Sequence, residues 1–119
     1  MNITIEELKD LYNRANVDWI PHIHDNSIQC CEYDDNNLVG FCQLLDDGTV
    51  VNLVVDEKYR NKGIGTKLCK QAIQNGCLFL GCLKKDVPFY NKLGFTVYYT
   101  AYSKEHKEFM YYMELESTK

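Results

Sequence analysis

The sequence places two glycines at the start of a helix-like segment, within the run YRNKGIG that spans Tyr59–Gly65. Glycine allows a backbone to turn tightly and to approach a ligand closely. The first turn of a helix has unpaired N–H groups, and the positive end of the helix dipole lies beside them. Three basic residues, Arg60, Lys62 and Lys67, add positive charge to this segment. These features together are typical of a site that binds a phosphate group.

The order of residues in this turn excludes two common phosphate-binding motifs. A Walker loop requires Gly-Lys-Ser/Thr, whereas the order here is Gly65, Thr66, Lys67. The dinucleotide fingerprint requires a third glycine, and Leu68 occupies that position. A chain of 119 residues is also too short for a full Rossmann domain. The remaining pattern is Arg-x-x-Gly-x-Gly, from Arg60 to Gly65. The alternative to a phosphate-binding turn is an ordinary strand–turn–helix in which the glycines are incidental.

An apolar strand and an amphipathic helix must position this turn. The segment Val50–Val55 is rich in β-branched residues, and we expect it to form a strand that is buried on both faces. After the glycines, apolar residues recur at helical spacing and polar residues occupy the other positions. The apolar positions of this helix are Ile64, Leu68, Ala72 and Ile73.

The rest of the chain predicts a mixed sheet around the turn, in the order α, β, β, β, α, β, α, β, β. A capping box of Thr4 and Glu7 predicts a first helix that ends near Ala15. Strands are predicted at Ser27–Tyr33, Leu38–Leu45, Thr49–Val55, Cys77–Leu83, Phe95–Tyr102 and Phe109–Leu115, and Asp86 is expected to cap a short helix at Phe89–Leu93. We expect Cys77–Leu83 to lie parallel to Val50–Val55 through a right-handed crossover. Alternation places Phe95, Val97, Tyr99 and Ala101 on one face of their strand.

Length and charge exclude several classes of protein. A chain of 119 residues predicts one domain, residues 1–119, with one core. A net charge of −4 argues against a general nucleic-acid binder, so no nucleic-acid partner is expected. The sequence shows neither a signal peptide nor an apolar run of membrane length. We therefore expect a cytoplasmic protein without a membrane partner.

The six cysteines do not form Cys-x-x-Cys pairs. They lie in apolar strand-like runs, except for Cys69, which lies on the helix after the glycines, so we predict reduced, buried thiols. A metal site built from His22-x-His24 and Cys30-Cys31 is the alternative. Two short pairs without a flanking motif do not support it, and no metal is expected.

Two signatures in the sequence resemble those of one family. Arg60–Gly65, after its apolar strand, closely resembles motif A of the GNAT superfamily, the acyl-CoA N-acyltransferases. Phe89–Phe95, about 25 residues beyond the glycines, resembles the second GNAT signature, F-Y-x-x-x-G-F. With the order of elements, the resemblance covers nearly the whole chain. It implies the GNAT fold, a mixed and mostly antiparallel sheet with a splayed parallel strand pair and flanking helices.

The resemblance also implies an activity and a set of residues that bind the co-substrate. A GNAT enzyme moves the acetyl group of acetyl-CoA to a primary amine by direct attack in a ternary complex. The strand before the glycines then bonds the pantothenate arm like an extra strand. Implied contacts to acetyl-CoA are the backbone of Leu53, Val54 and Val55, the turn residues Arg60, Asn61, Lys62, Gly63, Ile64, Gly65 and Thr66, and the distal Asn91 and Lys92. Asn61 departs from the family pattern, because glycine is common at that position.

The resemblance assigns a proton donor but leaves the proton acceptor open. Tyr90 occupies the position of the family's usual general acid, which protonates the CoA thiolate as it leaves. A phenol with a pKa of about 10 is protonated at neutral pH and suits that role. Thr49 stands where histone-acetylating relatives carry glutamate, and Asn52 in the same strand is not an acid. Candidate bases are Glu32, Asp46, His22, His24 and Asp25, or a chain of water molecules.

The acceptor is expected to be a small amine or a polyamine. In this fold, selectivity comes from the first helix and its loop and from the last hairpin, here Leu11–Asn26 and Tyr99–Phe109. We expect a groove walled by Trp19 and Tyr12, with acids nearby, to attract an ammonium group by charge and cation–π contact. The candidate substrate residues are Tyr12, Trp19, His22 and Glu32. The alternatives are a protein lysine or N-terminal acetyltransferase and a non-catalytic acyl-CoA-binding module, and the chain is expected to be a monomer or a homodimer.

Overall fold

The computed structural model describes residues 3–17 and 21–116, and its elements follow the predicted order. The helices are α1 (Ile5–Arg14), α2 (Ile64–Gln74) and α3 (Val87–Lys92), and the strands are β1 (Ile28–Asp34), β2 (Asn37–Leu44), β3 (Thr49–Val55), β4 (Phe79–Leu83), β5 (Phe95–Ser103) and β6 (Glu108–Leu115). Within these described ranges, no helix is both long and apolar enough to cross a membrane.

The strands form one six-stranded sheet in the order β1-β2-β3-β4-β6-β5. Neighbouring strands are antiparallel except for β3 and β4, which are parallel. This parallel pair is short, because only Thr49 with Phe79 and Val50 with Leu80 lie opposite each other. Beyond Val50 the two strands separate. The predicted mixed sheet with a splayed parallel pair is therefore confirmed.

The helix α1 begins at the predicted capping box. The Thr4 side chain accepts a hydrogen bond from the Glu7 backbone N–H at 3.2 Å, and the Glu7 carboxylate accepts one from the Thr4 N–H at 3.2 Å. Two of the N–H groups that a helix leaves unpaired are satisfied in this way. The apolar face of α1 buries Leu8 and Leu11 completely.

The helix α2 packs so closely on the sheet that β2 requires a glycine beneath it. A Cβ atom on Gly40 would lie 2.6 Å from Ile64 Cγ2 and 3.0 Å from Leu68 Cδ1. Both distances are shorter than van der Waals contact, so any larger residue would push α2 away from the sheet. Leu68, Cys69 and Ala72 of α2 are buried in this contact.

Three predictions about local structure are wrong. Asp86 does not cap α3, because a short 3₁₀ turn at Lys84–Asp86 runs directly into that helix and no side-chain capping bond forms. The strand β3 is not buried on both faces: Val50 and Val54 are buried, while its other residues, Leu53 among them, are only half-buried, and β4 turns away beyond Val50. In β5, the predicted alternation is broken by a bulge between Val97 and Tyr99, where Tyr98 is the extra residue.

The cysteines carry free thiols and fill space in the core. Cys30, Cys42, Cys69, Cys77 and Cys82 are buried, and Cys31 is half-buried. Burial raises the pKa of Cys69 to about 12, which keeps that thiol protonated at neutral pH. The described residues contain no group of three or more His, Cys, Asp or Glu side chains that could hold a metal ion.

An ion pair fastens the end of β3 to α1. Arg14 donates to the carboxylate of Asp56 at 2.5 Å and to the carbonyl of Leu38 at 3.0 Å. The Asp56 carboxylate also accepts from the Lys58 N–H at 2.9 Å. The side chain of Asp56 is 4% exposed, so this charge is almost fully removed from water. The pair therefore fixes the point at which the chain leaves β3 and leads into the turn at Tyr59–Gly65, which we call the glycine turn.

We expect the Arg14→Ala variant to lose about 2 kcal/mol of stability, because it leaves the Asp56 carboxylate buried without its cation. This figure lies below the usual range for a fully buried pair because the Arg14 side chain is 38% exposed. Thermal unfolding should show a Tm lower by roughly 8 °C, at about 4 °C per kcal/mol for a chain of this size. Lys9→Ala on the exposed side of α1 is the matched control. Equal Tm values for the two variants would contradict the assignment.

Candidate active site

Two cavities meet where β3 and β4 separate. The first has a volume of about 760 Å³ and extends between the two strands towards the hairpin of β5 and β6. The second has a volume of about 570 Å³ and lies between the end of β3, the glycine turn and α3. Leu53, Asp86 and Tyr90 line both cavities. These three residues therefore mark the junction at which molecules in the two cavities would touch.

The glycine turn gives the second cavity an anion-binding end. Gly63 has a φ of +84°, which favours glycine, and Asn61 has a φ of +63°, which asparagine tolerates better than most residues. The first hydrogen bond inside α2 runs from the Lys67 N–H to the Gly63 carbonyl at 3.0 Å. The N–H groups of residues 64–66 precede that bond and have no partner within the helix. No acidic residue lies in this first turn.

The basic residues of the turn have different surroundings. The Arg60 guanidinium donates to the Ala15 carbonyl at 2.7 Å and lies 3.9 Å from the Glu57 carboxylate. It therefore ties the turn to the end of α1, in addition to lining the second cavity. Lys62 lies with its Nζ 5.8 Å from the centre of the Tyr59 ring and does not line either cavity. Tyr59 in turn donates a hydrogen bond to the Asp34 carboxylate, so the turn is fixed at two points.

A bulge shapes the edge of β3 that faces the gap between β3 and β4. Phe41 lies opposite Val54 and Gln43 lies opposite Val51, so two residues of β3 oppose one of β2. Asn52 adopts a φ of +58° inside this bulge. A bulge bends a strand and changes the direction of its backbone groups. Beyond Val50, the edge of β3 has no β4 ladder and is open to an extended ligand.

The two ends of the second cavity fit the two parts of acetyl-CoA. An unpaired strand edge suits an extended chain that contains amide groups, because such a chain pairs as an added strand. The helix start with free N–H groups suits the diphosphate. The residues present therefore fit this co-substrate, and Leu53, Val54, Val55, Arg60, Asn61, Gly63, Ile64, Gly65 and Thr66 line the cavity that would hold it.

Tyr90 lies at the junction of the two cavities. Its ring makes edge-to-face contacts with Phe89 and Phe95, at centroid distances of 4.9 and 6.2 Å. Burial raises the pKa of Tyr90 above its usual value, and the charge of Asp86 acts in the same direction. The hydroxyl therefore stays protonated throughout the physiological range and has a proton to donate.

Several predicted residues lie elsewhere. Lys62, Asn91 and Lys92 are exposed and line neither cavity. Tyr12 is buried against the sheet beneath α1, and burial raises its pKa. Glu32 accepts a hydrogen bond from Gln71 at 2.6 Å, away from both cavities. The structure thus brings together the predicted turn, strand edge and Tyr90, but not these residues.

The loop after α1 is held to the sheet rather than to the junction. Gln43 is fully buried, and its side chain accepts from the His24 N–H at 2.8 Å and donates to the His22 carbonyl at 2.7 Å. Neither histidine lines a cavity, and the exposed residues Asp25 and Asp46 do not either. Trp19 lies outside the described residues.

The first cavity contains residues that the sequence did not single out. Its polar lining includes Asp86, Glu105 and His106, and its aromatic lining includes Phe79, Tyr98 and Tyr112. One signal in the sequence was available for Asp86, which precedes Tyr90 by four residues and so lies one helical turn from it. The others come from the last hairpin, Tyr99–Phe109, and from strands whose pairing the sequence does not determine.

A family model described as the acetyltransferase (GNAT) domain matches residues 25–97. The chain belongs to the GNAT acetyltransferase family. It is thus an acetyl-CoA-dependent N-acetyltransferase, and acetyl-CoA is its co-substrate. The resemblance that the two signatures indicated is confirmed.

Solved GNAT structures share the fold of this chain. The ribosomal-protein-S18-alanine N-acetyltransferase from Escherichia coli is 16% identical, with a TM-score of 0.74 over 93% of this chain and 86% of that one. Escherichia coli ElaA is 17% identical, with a TM-score of 0.73 over 97% of this chain and 93% of that one. A putative streptothricin acetyltransferase from Bacillus anthracis, in complex with acetyl coenzyme A, is 23% identical, with a TM-score of 0.64 over 79% of this chain and 64% of that one. No protein of curated function matches this GNAT chain by sequence.

Proposed function

We propose that this GNAT protein acetylates the primary amine of a small molecule or polyamine, with residues 1–119 acting as one domain. The observation that carries the proposal is the meeting of the two cavities at Tyr90. With acetyl-CoA in the second cavity, the first is left for the acceptor, and the two reactants face each other at the junction. Holding reactants in such an arrangement accounts for much of the rate in transfer reactions.

The site residues divide the work between binding and proton transfer. The backbone of β3 at residues 53–55 and the N–H groups of the glycine turn bind and orient the co-substrate. The amine nitrogen forms a bond to the carbonyl carbon, and the carbon–sulfur bond breaks. Tyr90 gives its hydroxyl proton to the sulfur that leaves, and it regains a proton from solvent. This proton transfer neutralises the negative charge that develops on the sulfur as the carbon–sulfur bond breaks.

The lining of the first cavity favours a cationic acceptor of small size. Carboxylates attract an ammonium group by charge, and the aromatic rings contribute cation–π contact. The acids are Asp86 and Glu105, and the rings are those of Phe79, Tyr98 and Tyr112. A volume of about 760 Å³ lies within the usual range for small-molecule sites. The small-amine proposal therefore depends on the lining of the first cavity and no longer on the groove of Tyr12 and Trp19 that the sequence led us to expect.

Acetylation of a protein N-terminus is the second candidate. One structurally similar enzyme acts on the alanine of ribosomal protein S18, whereas another is a putative streptothricin acetyltransferase, a name that denotes a small-molecule acceptor. Both have the same fold, so the fold does not decide between the two classes. The size of the first cavity favours the small amine, because a polypeptide requires a longer groove.

The test is a panel of acceptors with acetyl-CoA, in which thiol release is measured and the acetylated product is identified by mass. The panel contains spermidine, an aminoglycoside, an alanine-terminated peptide and a lysine peptide. We expect kcat/KM for one of the small amines to exceed that for either peptide at least tenfold. Turnover of the peptides alone would reassign the protein to protein acetylation. Binding of coenzyme A without turnover of any acceptor would indicate a non-catalytic module.

A further inference from the structure

Asp86 lies at the junction of the two cavities, and its carboxylate does not stabilise the fold through a bond to another side chain of the described residues. It lines both cavities and is half-buried. Its side chain does not cap α3. Within the described part of the chain, its carboxylate makes neither a hydrogen bond nor an ion pair with another side chain. A half-buried carboxylate that no protein group satisfies is available to a ligand.

The other acids near the site do not share this position. Glu32 is bonded to Gln71 and lines neither cavity. Asp56 also lies outside both cavity linings and is paired with Arg14. Glu105 lines only the first cavity. Among the described residues, Asp86 is therefore the acid that borders both the acceptor cavity and the co-substrate cavity.

The charge of Asp86 reaches the proton donor. Burial raises the pKa of Tyr90, and the Asp86 carboxylate adds to this effect. Burial also raises the pKa of Cys82 on β4 to about 11, again with a contribution from Asp86. Lys84 and Lys85 belong to its own turn, and Glu105 and His106 line the hairpin side of the same cavity. A carboxylate and a protonated phenol thus lie together, which is the arrangement that paired acid–base chemistry requires.

We propose that Asp86 is the general base that accepts the proton of the attacking amine, directly or through one water molecule. The inference rests on the proposed function. As the nitrogen bonds to the carbonyl carbon, its N–H becomes much more acidic, so a carboxylate is a sufficient acceptor. The proton passes from nitrogen to Asp86 and then to solvent, while Tyr90 protonates the sulfur and is reprotonated by solvent. An acceptor that binds as an ammonium ion first loses one proton to solvent, because only the neutral amine has a lone pair with which to attack. Each cycle then moves one further proton from nitrogen to sulfur in net terms.

The test compares Asp86→Asn with the wild-type protein, using the amine that the wild-type protein acetylates best. Asparagine keeps the size of the side chain but does not accept the proton. We expect kcat to fall at least tenfold, while KM for the amine and the affinity for coenzyme A stay within about threefold. In Asp86→Ala, added formate is expected to restore part of the lost kcat, because it supplies a carboxylate to the space left by the side chain. Asp10→Asn, on the exposed side of α1, is expected to keep wild-type activity.

The outcomes separate the inference from the proposed function. An Asp86→Asn variant with wild-type kcat would overturn the role of Asp86 and leave the acetyltransferase proposal standing. A loss confined to KM for the amine would overturn it too, since that result assigns Asp86 to ammonium binding. Absence of formate rescue in a folded Asp86→Ala variant also counts against proton transfer. A wild-type protein that acetylates no amine overturns both.

Discussion

The Tyr90→Phe variant is expected to lose about 100-fold in kcat and to bind coenzyme A with unchanged affinity. Phenylalanine keeps the ring that packs edge-to-face against Phe89 and Phe95, so α3 should remain in place. It lacks the hydroxyl that, in the proposed mechanism, donates a proton to the sulfur as the carbon–sulfur bond breaks. The loss should therefore appear in the chemical step. Steady-state kinetics with the best amine, together with calorimetry of coenzyme A binding, measures both quantities.

The control for this experiment is Tyr33→Phe. Tyr33 is an exposed tyrosine of β1 that lines neither cavity, and its hydroxyl bonds only weakly to Glu7 at 3.4 Å. We expect this variant to retain wild-type kcat and coenzyme A affinity. If Tyr90→Phe also retained wild-type kcat, the proton would have to reach the sulfur by another route, and Tyr90 would be a packing residue of the core.

The parts of the structure that were predicted correctly depend on local signals. The capping box of Thr4 and Glu7 involves residues three apart, and it forms as expected. The glycine predicted to allow a tight turn before α2, Gly63, has a φ of +84°. Each of these signals acts within one turn of backbone. The order of elements follows from the same kind of information, because each helix and strand has its own apolar period.

The lining of the first cavity was not predictable, because it comes from segments distant in the sequence. Asn52 on β3, Gly81 on β4 and Tyr112 on β6 meet there only through strand pairing. Two bulges, at Asn52 and beside Tyr98, shift the register at places that no local pattern marks. A shift of one residue in register turns a side chain to the other face of its strand, so the register decides whether that side chain lines the cavity.

The prediction for Asp86 was wrong for a different reason. An aspartate before a short helix usually caps it, and that rule assigned the side chain to the backbone of α3. In the structure, a preceding 3₁₀ turn continues into the helix, and the Val87 N–H bonds to the Lys84 carbonyl. The carboxylate is therefore left for the junction. A residue that departs from its local rule is often one that serves the site.

The Gly63→Val variant is expected to bind coenzyme A about 100-fold more weakly, which corresponds to roughly 2.7 kcal/mol. Gly63 precedes α2 with a φ of +84°, and a side chain in that conformation costs roughly 1–2 kcal/mol, with more for a β-branched residue. The turn should therefore relax to another conformation in which the N–H groups of residues 64–66 no longer point together at the diphosphate. Calorimetry with coenzyme A measures the loss.

The matched control for Gly63→Val lies at the other end of the same helix. Gly76 also has positive φ, and an added Cβ atom would meet no atom within 4 Å at either position. Because backbone strain is similar in the two variants, Gly63→Val and Gly76→Val should lower Tm by similar amounts. Only Gly63→Val should lose coenzyme A affinity, because only that end of α2 carries the unpaired N–H groups and the positive end of the dipole. Equal losses of affinity would mean that strain alone weakens binding, and the diphosphate would then have to bind elsewhere than at the start of α2.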